Sequence, residues 1–307
     1  MCTHHTTTNE LSFQLREIFK KSICSGSFTR FVTLRSLLVD FLKRTSTVKS
    51  ASLAPQVIVM GAGYDATYFQ LAVDHPDLIQ RVKYVELDLP EVTFNKLRVI
   101  KTNPMLANLA GIPETARNEC NTPMFCSDTF SIHPADLRRL HDVDHALKAA
   151  QVLGNAPTLI LLECVAVYME HHEGNALLKW VADKFTMDAA IAIYEQYNPN
   201  DAFGKQMMLN LSIRGCPLRG ILPSLSDHVQ RLKSAGWHQA VAHSMNDVWK
   251  LYIHPLEKRR VQQLEFLDEL EEWELLQSHY CIVVATKSEE STDLFKNYLD
   301  FPNLGFS

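Results

Sequence analysis

The chain has 307 residues, 46% hydrophobic and 21% charged, with a formal net charge of −5. That balance describes a globular chain with ample material for a core. It offers no sequence-wide basic footprint for nucleic acid, and no apolar run approaches the length of a membrane span.

The N-terminus, MCTHHTTTNELS, lacks the apolar core of a signal peptide. Residues 9–22 have Leu11, Leu15 and Ile18 at helical spacing, and Arg30 to Leu42 has Leu34, Leu37, Leu38 and Phe41 on one face. Both stretches are predicted helices. Next comes VIVMGAGYDATYF, Val57 to Phe69, a β-branched run that stops at a Gly-Ala-Gly turn. The predicted elements there are a strand over 56–60 and a helix over 64–73. A second strand, 82–88, ends in acids, and a helix follows over 90–101. Residues 102–127 hold several Pro, Asn and Gly residues and read as an irregular excursion. A short strand in IHPADLRRL is expected to end near Asp136.

TLILLECVAVYM, Thr158 to Met169, is the nearly continuous apolar run of a central strand buried on both faces. A helix over 173–185 and a strand over 190–196 follow. Residues 201–236 read as helices broken near Gly215 and Pro217. The chain closes with an acidic helix, 264–276, and a strand, 279–287. Alternating strand and helix predict an α/β fold with a mainly parallel, doubly wound sheet, the late strands adding an antiparallel edge.

In such sheets a ligand sits at the C-terminal ends of the strands, near the switch in strand order. The polar residues at those ends are Gly61, Gly63, Asp65, Glu86, Asp88, Asp136, Glu163 and Glu195. Glycine lets a ligand approach the backbone, and Asp88 lies 27 residues beyond Gly61. A third glycine of the dinucleotide fingerprint is missing, because Ala66 stands there. The pattern fits a nucleoside without phosphates, such as S-adenosylmethionine, better than a pyrophosphate. Its bland reading is a tight turn in a domain that binds nothing. Glu163 interrupts an apolar strand, and a buried acid is costly unless paired; its competing role is that of a core acid satisfied by neighbouring groups. Arg30, in GSFTRFVTLR, reads on its own as a surface cation.

Other charged and metal-ligating types carry less. The pairs His4–His5 and His171–His172 lack metal-ligand spacing, no metal is called for, and Lys258, Arg259 and Arg260 read as a solvated helix face. The seven cysteines, Cys2, Cys24, Cys120, Cys126, Cys164, Cys216 and Cys281, form no C-x-x-C pair. Free thiols in a reducing, cytoplasmic setting are expected. No nucleophile elbow, H-E-x-x-H or P-loop is present, so hydrolase and kinase chemistry find no support.

With these residues in view, the chain resembles the leucine carboxyl methyltransferases, which depend on S-adenosylmethionine. The resemblance runs from about Gly26 to Lys287. It is carried by VIVMGAGYDATYF, YVELDLPEV, the ADL at Ala135–Leu137, LLECVAVYM, YEQYNPNDAFGKQM (194–207), RLKSAGW (231–237) and LEFLDELEEWELLQSHYCIVVATK (264–287). It implies a seven-stranded methyltransferase fold with an antiparallel last strand. The implied organisation is a helical segment (1–45), a methyltransferase domain (46–290) with helical insertions near 201–236 and 255–276, and a tail (291–307).

By motif position, Arg30 holds the methionine carboxylate, Gly61, Gly63 and Asp65 form the turn beside the cofactor, and Asp88 takes the ribose hydroxyls. Asp136 and Leu137 flank adenine, and Glu163 lies beside the methionine part. Tyr194 and Glu195 line the substrate entrance. The implied activity is methyl esterification of the C-terminal leucine of the protein phosphatase 2A catalytic subunit, by a monomer without nucleic-acid or membrane partners. The alternatives are a phosphatase-binding pseudoenzyme and a tRNA wybutosine-type carboxyl methyltransferase. One departure is expected to matter. Members of the family usually carry a basic residue and an aromatic-rich stretch before the arginine motif, which MCTHHTTTNELSFQLREIFKKS does not match. Weakened cofactor closure, or a true N-terminus further upstream, would follow, with Lys20 or Lys21 as substitutes.

Overall fold

The computed structural model describes residues 25–47, 53–117, 122–264, 270–287 and 294–301. The helix expected over 9–22, with Lys20 and Lys21, lies outside the described residues. The second expected helix is α1 (Ser25–Thr47), longer than its apolar stripe suggested.

The sheet is built around β1 (Gln56–Met60), every residue of which is buried. It pairs in parallel with β2 (Lys83–Asp88) on one side and with β5 (Thr158–Glu163) on the other. The chain first builds outward from β2 through β4 (Phe130–Pro134), then crosses back to β5 and β6 (Ala189–Gln196). The strand order therefore reverses between β1 and β5, where ligands bind in open α/β sheets. β8 (Tyr280–Lys287) runs antiparallel between β6 and β7 (Gln239–Ser244). Of the late strands only β8 is reversed; the edge strand β7 runs parallel to β6. A two-residue strand, β3 (Phe125–Cys126), hairpins onto β4 and makes the sheet eight-stranded. The stretch expected to be irregular thus holds some order: a helix, Pro104–Leu109, starts where the Asn103 side chain accepts from the backbone N–H groups of Met105 and Leu106.

Alternation along each strand feeds two apolar layers. Val57 and Val59 join Leu38, Phe41 and Tyr68 on the face covered by α1 and α2 (Thr67–Asp74). Ile58 and Met60 join residues of α6 (Leu140–Ala149), α7 (His171–Lys184) and α9 (Leu225–Ser234) on the other. α3 (Pro76–Ile79), α4 (Pro90–Thr102) and α5 (Pro104–Leu109) lie between α2 and β4 in the chain. No helix of the described residues is long and apolar enough to cross a membrane.

The same alternation separates two adjacent candidate residues. Tyr194 packs in the first layer, so Glu195, one position on, faces the second and is fully buried. Glu195 does not share a wall with Tyr194, contrary to the expectation that both line one entrance. Burial pushes its carboxyl up to about 7, against the pull of Arg231 on α9; the Arg231 Nε donates to Asn175 Oδ1 at 2.8 Å.

The insertion after β6 is pinned at its base. Asp201 caps α8 (Ala202–Ile213), its Oδ1 accepting from the Gly204 N–H at 2.7 Å. Its carboxylate also lies 2.9 Å from Nε2 of the buried His279, whose Nδ1 faces the Leu275 carbonyl at 2.9 Å. The break after α8 falls at Gly215, where φ is +80°. α10 (Pro255–Leu264) and α11 (Leu270–Gln277) precede β8, and Gln277 lies only three residues before its start.

Two outcomes follow. Replacing Asp201 by Ala removes a cap and the partner of a buried ring nitrogen; urea denaturation should show a loss of about 1–3 kcal/mol. Glu195 holds its proton to about pH 7 when folded and to about 4.5 when unfolded. The folded state therefore binds more protons in that window, and this contribution to stability fades as pH rises through it. Glu195→Gln should gain on the parent by about 1–3 kcal/mol between those pH values in the same assay. A difference independent of pH would contradict the assignment.

Candidate active site

β1 ends where its backbone can turn. Gly61 and Gly63 have φ of +78° and +49°, a region that L side chains rarely adopt. The Gly61 and Ala62 N–H groups donate to the Leu87 carbonyl at 2.8 and 3.1 Å, so the turn stays tied to β2. The two glycines then differ. A Cβ on Gly61 would lie 2.5 Å from a Val165 methyl, whereas a Cβ on Gly63 would meet nothing within 4 Å. Gly61 lets the turn pack against the segment after β5. Gly63 faces open space, where a ligand can approach the backbone.

Asp88, at the end of β2, clamps the turn. Its Oδ2 accepts from the Gly63 N–H and its Oδ1 from the Leu89 N–H, both at 2.7 Å. A carboxylate has about four lone-pair sites, so each oxygen keeps capacity for a further donor. Asp65 Oδ1 accepts from the Thr67 N–H at 3.1 Å and its hydroxyl at 2.7 Å, which delays the start of α2 beyond the position that the apolar spacing predicts. Next door, the Ala135 N–H donates to the Asp88 carbonyl at 2.8 Å. Asp136 is held by Arg138 through two side-chain contacts at 2.9 and 2.7 Å, and that hydrogen bonding keeps its carboxyl below the usual range. Leu137 is buried beside it.

From the other side, α1 lowers Arg30 onto the end of β5. Its Nη1 lies 3.0 Å from Glu163 Oε1, with the two side chains 39% and 37% exposed. Such a half-open pair contributes little to stability and remains free to exchange partners. Burial pushes the Glu163 carboxyl up, and Arg30 pulls it back. The Arg30 guanidinium stands 5.8 Å from the centre of the Tyr194 ring. Cys164, with φ +52°, turns the chain away after β5. Burial pushes its thiol up to about 12, so it is no nucleophile at neutral pH.

Between α1 and the ends of β1 and β5 lies a cavity of about 380 Å³, lined by Arg30, Leu34, Val59, Gly63, Asp65 and Glu163 among others. That is large enough for a small ligand. Gly61 also lines it, and Asp88 sets its rim through Gly63. Asp136 and Leu137 adjoin that rim through Ala135. Tyr194 stands against Arg30, and Glu195 faces the opposite side of the sheet. Beneath the turn, Glu86 and Lys96 form a buried ion pair at 2.5 Å, in which burial raises the Glu86 carboxyl to about 7. Sequence reading placed Glu86 at the strand end but missed Lys96, whose i+10 separation from it carries no local signal. It also missed Tyr280, which enters this region only through the pairing of β8 with β6. Among the described residues, no group of three His, Cys, Asp or Glu side chains is arranged to hold a metal.

The cavity suits S-adenosylmethionine on its own features. Arg30 and Glu163 in its lining match the amino-acid part, and Asp88, bound to the lining residue Gly63, has spare acceptor sites that match ribose hydroxyls.

Residues 4–182 match the family model described as leucine carboxyl methyltransferase. The chain is 36% identical over 264 residues to the leucine carboxyl methyltransferase 1 homolog of Arabidopsis thaliana, covering 85% of this chain and 76% of that protein. It is 35% identical over 266 residues to tRNA wybutosine-synthesizing protein 4 of Rattus norvegicus, covering 86% of this chain but spanning 38% of that longer protein. Among solved structures, a putative methyltransferase from Thermobifida fusca shares the fold, with a TM-score of 0.53 at 12% identity over 86% of this chain and 82% of that one. By these likenesses and by its fold, the chain is a methyltransferase and belongs to the leucine carboxyl methyltransferase family.

Proposed function

We propose that this methyltransferase uses S-adenosylmethionine to esterify the α-carboxylate of a C-terminal leucine, and that the acceptor is the catalytic subunit of protein phosphatase 2A. The observation that carries the reading is one cavity lined by Arg30, Glu163 and Gly63, with Asp88 bound to the Gly63 N–H. Bound there, S-adenosylmethionine supplies an electrophilic methyl group on a sulfonium.

The chain's own residues do the rest. Asp88 receives the ribose hydroxyls on its free lone pairs. Arg30 offers N–H donors to the methionine carboxylate, and Glu163 an acceptor to its ammonium. The acceptor carboxylate, with a reference pKa of about 3.3–3.7, is already ionised at neutral pH and needs no general base. The protein has to strip it of water and hold it in line with the methyl group. Burial keeps the Tyr194 phenol protonated, which suits a hydrogen-bond donor to a carboxylate at the entrance.

The wybutosine-type reading has support in the Rattus norvegicus relative, but a net charge of −5 opposes a tRNA partner. A monomer acting in the cytoplasm, without nucleic acid or membrane, completes the proposal.

Calorimetric titration with S-adenosylmethionine tests the site. Asp88→Ala should weaken binding about 10- to 150-fold for each hydrogen bond to the carboxylate that is lost, with Asp88→Asn intermediate. Unchanged affinity in Asp88→Ala would remove the ribose assignment. Arg30→Ala should abolish turnover while circular dichroism stays unaltered; a fully active Arg30→Ala enzyme would remove Arg30 from the site.

A further inference from the structure

β6 and β8 pair with Gln196 opposite Tyr280 and Tyr194 opposite Ile282. The four residues share one face of the sheet, so Tyr280 is the diagonal cross-strand neighbour of Tyr194, within reach of an aromatic side chain. Their rings stack with centroids 5.4 Å apart and planes 21° from parallel. The Gln196 amide donates to the Tyr280 hydroxyl at 3.2 Å, which sets the ring's tilt. Above Tyr194 comes the Arg30 guanidinium, at 5.8 Å. Guanidinium, ring and ring thus form one run of contacts from β8 to the Arg30–Glu163 pair.

Arg30 needs such a support. It is a long side chain with several rotatable bonds, and its ion pair with Glu163 is more than a third exposed. A screened pair of that kind does not by itself fix a guanidinium plane. A rigid aromatic face does, because the cation is drawn to the ring and the plane can lie along it. Tyr194 is such a face, and Tyr280 stacks on it. The place of Tyr280 is in turn set by its neighbour His279, which is clamped between Asp201 and Leu275. The base of the α8 insertion and the cofactor end of the cavity are therefore joined by an unbroken run of contacts.

We propose that Tyr280 is a positioning residue for methyl transfer: through the Tyr194 ring it holds the Arg30 guanidinium in the orientation that receives the cofactor carboxylate. Its action is indirect, through that ring. The inference deepens the proposed function and rests on that reading for the ligand, but its mechanical part concerns Arg30 alone.

The test compares the parent chain with Tyr280→Phe and Tyr280→Leu. The first readout needs no ligand: the titration of Glu163, followed by NMR of carboxyl-labelled glutamate. If Tyr280 holds Arg30 against Glu163, Tyr280→Leu frees the cation and the Glu163 midpoint rises, while Tyr280→Phe, which keeps the stack, leaves it in place. The second readout is affinity for S-adenosylmethionine, which should fall about 3- to 30-fold in Tyr280→Leu and little in Tyr280→Phe. Combined with Arg30→Lys, Tyr280→Leu should add less than its separate effect, since both act on one contact. An unmoved Glu163 midpoint in folded Tyr280→Leu, or fully additive losses, would overturn the proposal. A parent chain that binds no S-adenosylmethionine would bring down the functional reading, and the Glu163 titration would still decide the role of Tyr280. Should Tyr280→Leu fail to fold, Tyr280→Met takes its place with the same two readouts.

Discussion

The hydrogen bond from the Gly63 N–H to the Asp88 carboxylate, 2.7 Å long, is the contact on which the site depends. It joins the ends of two neighbouring parallel strands, β1 and β2, beside the switch in strand order. With it, the turn after β1 is held open toward α1, and Asp88 is held with lone pairs to spare. Both glycines follow from the same constraint. Gly61 lets the turn pack against Val165, and Gly63 leaves its outer face clear. Without the clamp, a strand end and an acid would remain, but not a cavity with an acceptor fixed at its rim.

The charges around this point divide by exposure. Glu86 with Lys96, and Glu195 near Arg231, are buried; burial raises both carboxyls, and they serve the scaffold. Arg30 and Glu163 are half-open, and their attraction is weakened by water. That weakness suits a binding pair, since a ligand carboxylate and ammonium can share or replace the contact at little cost. The same openness leaves Arg30 dependent on the flat tyrosine face beneath it. One buried layer therefore sets the backbone, while under the proposed function a half-open one meets the ligand.

Most of the fold was legible because its signals are local. The apolar runs of β1, β5 and β6, the glycine turn after β1 and the acid ending β2 can each be read within about ten residues. Arg30 and the strand-end residues came together as the sheet topology requires, with Gly61, Gly63, Asp65 and Glu163 around one cavity. What sequence reading missed depends on partners far away in the chain. Tyr280 gains its place from the register of β8 on β6, and Lys96 from the packing of α4 under β2. The reversed direction of β8 alone, rather than of the whole late edge, is likewise a property of pairing. The placing of Glu195 beside Tyr194 is a different kind of miss: consecutive residues of a strand face opposite sides, so alternation alone forbids a shared wall. In residues 102–127, Asn103 supplies a helix cap amid turn-forming residues, and local composition masked the helix it starts.

The most direct test is mass analysis of a peptide ending in leucine, incubated with the chain and S-adenosylmethionine beside the same peptide with its C-terminus amidated. A site that aims a free carboxylate at the methyl group should add one methyl to the acid, removable by mild base, and none to the amide. Methylation of both peptides, or of neither by a folded chain shown to bind S-adenosylmethionine, would contradict the carboxyl-transfer reading.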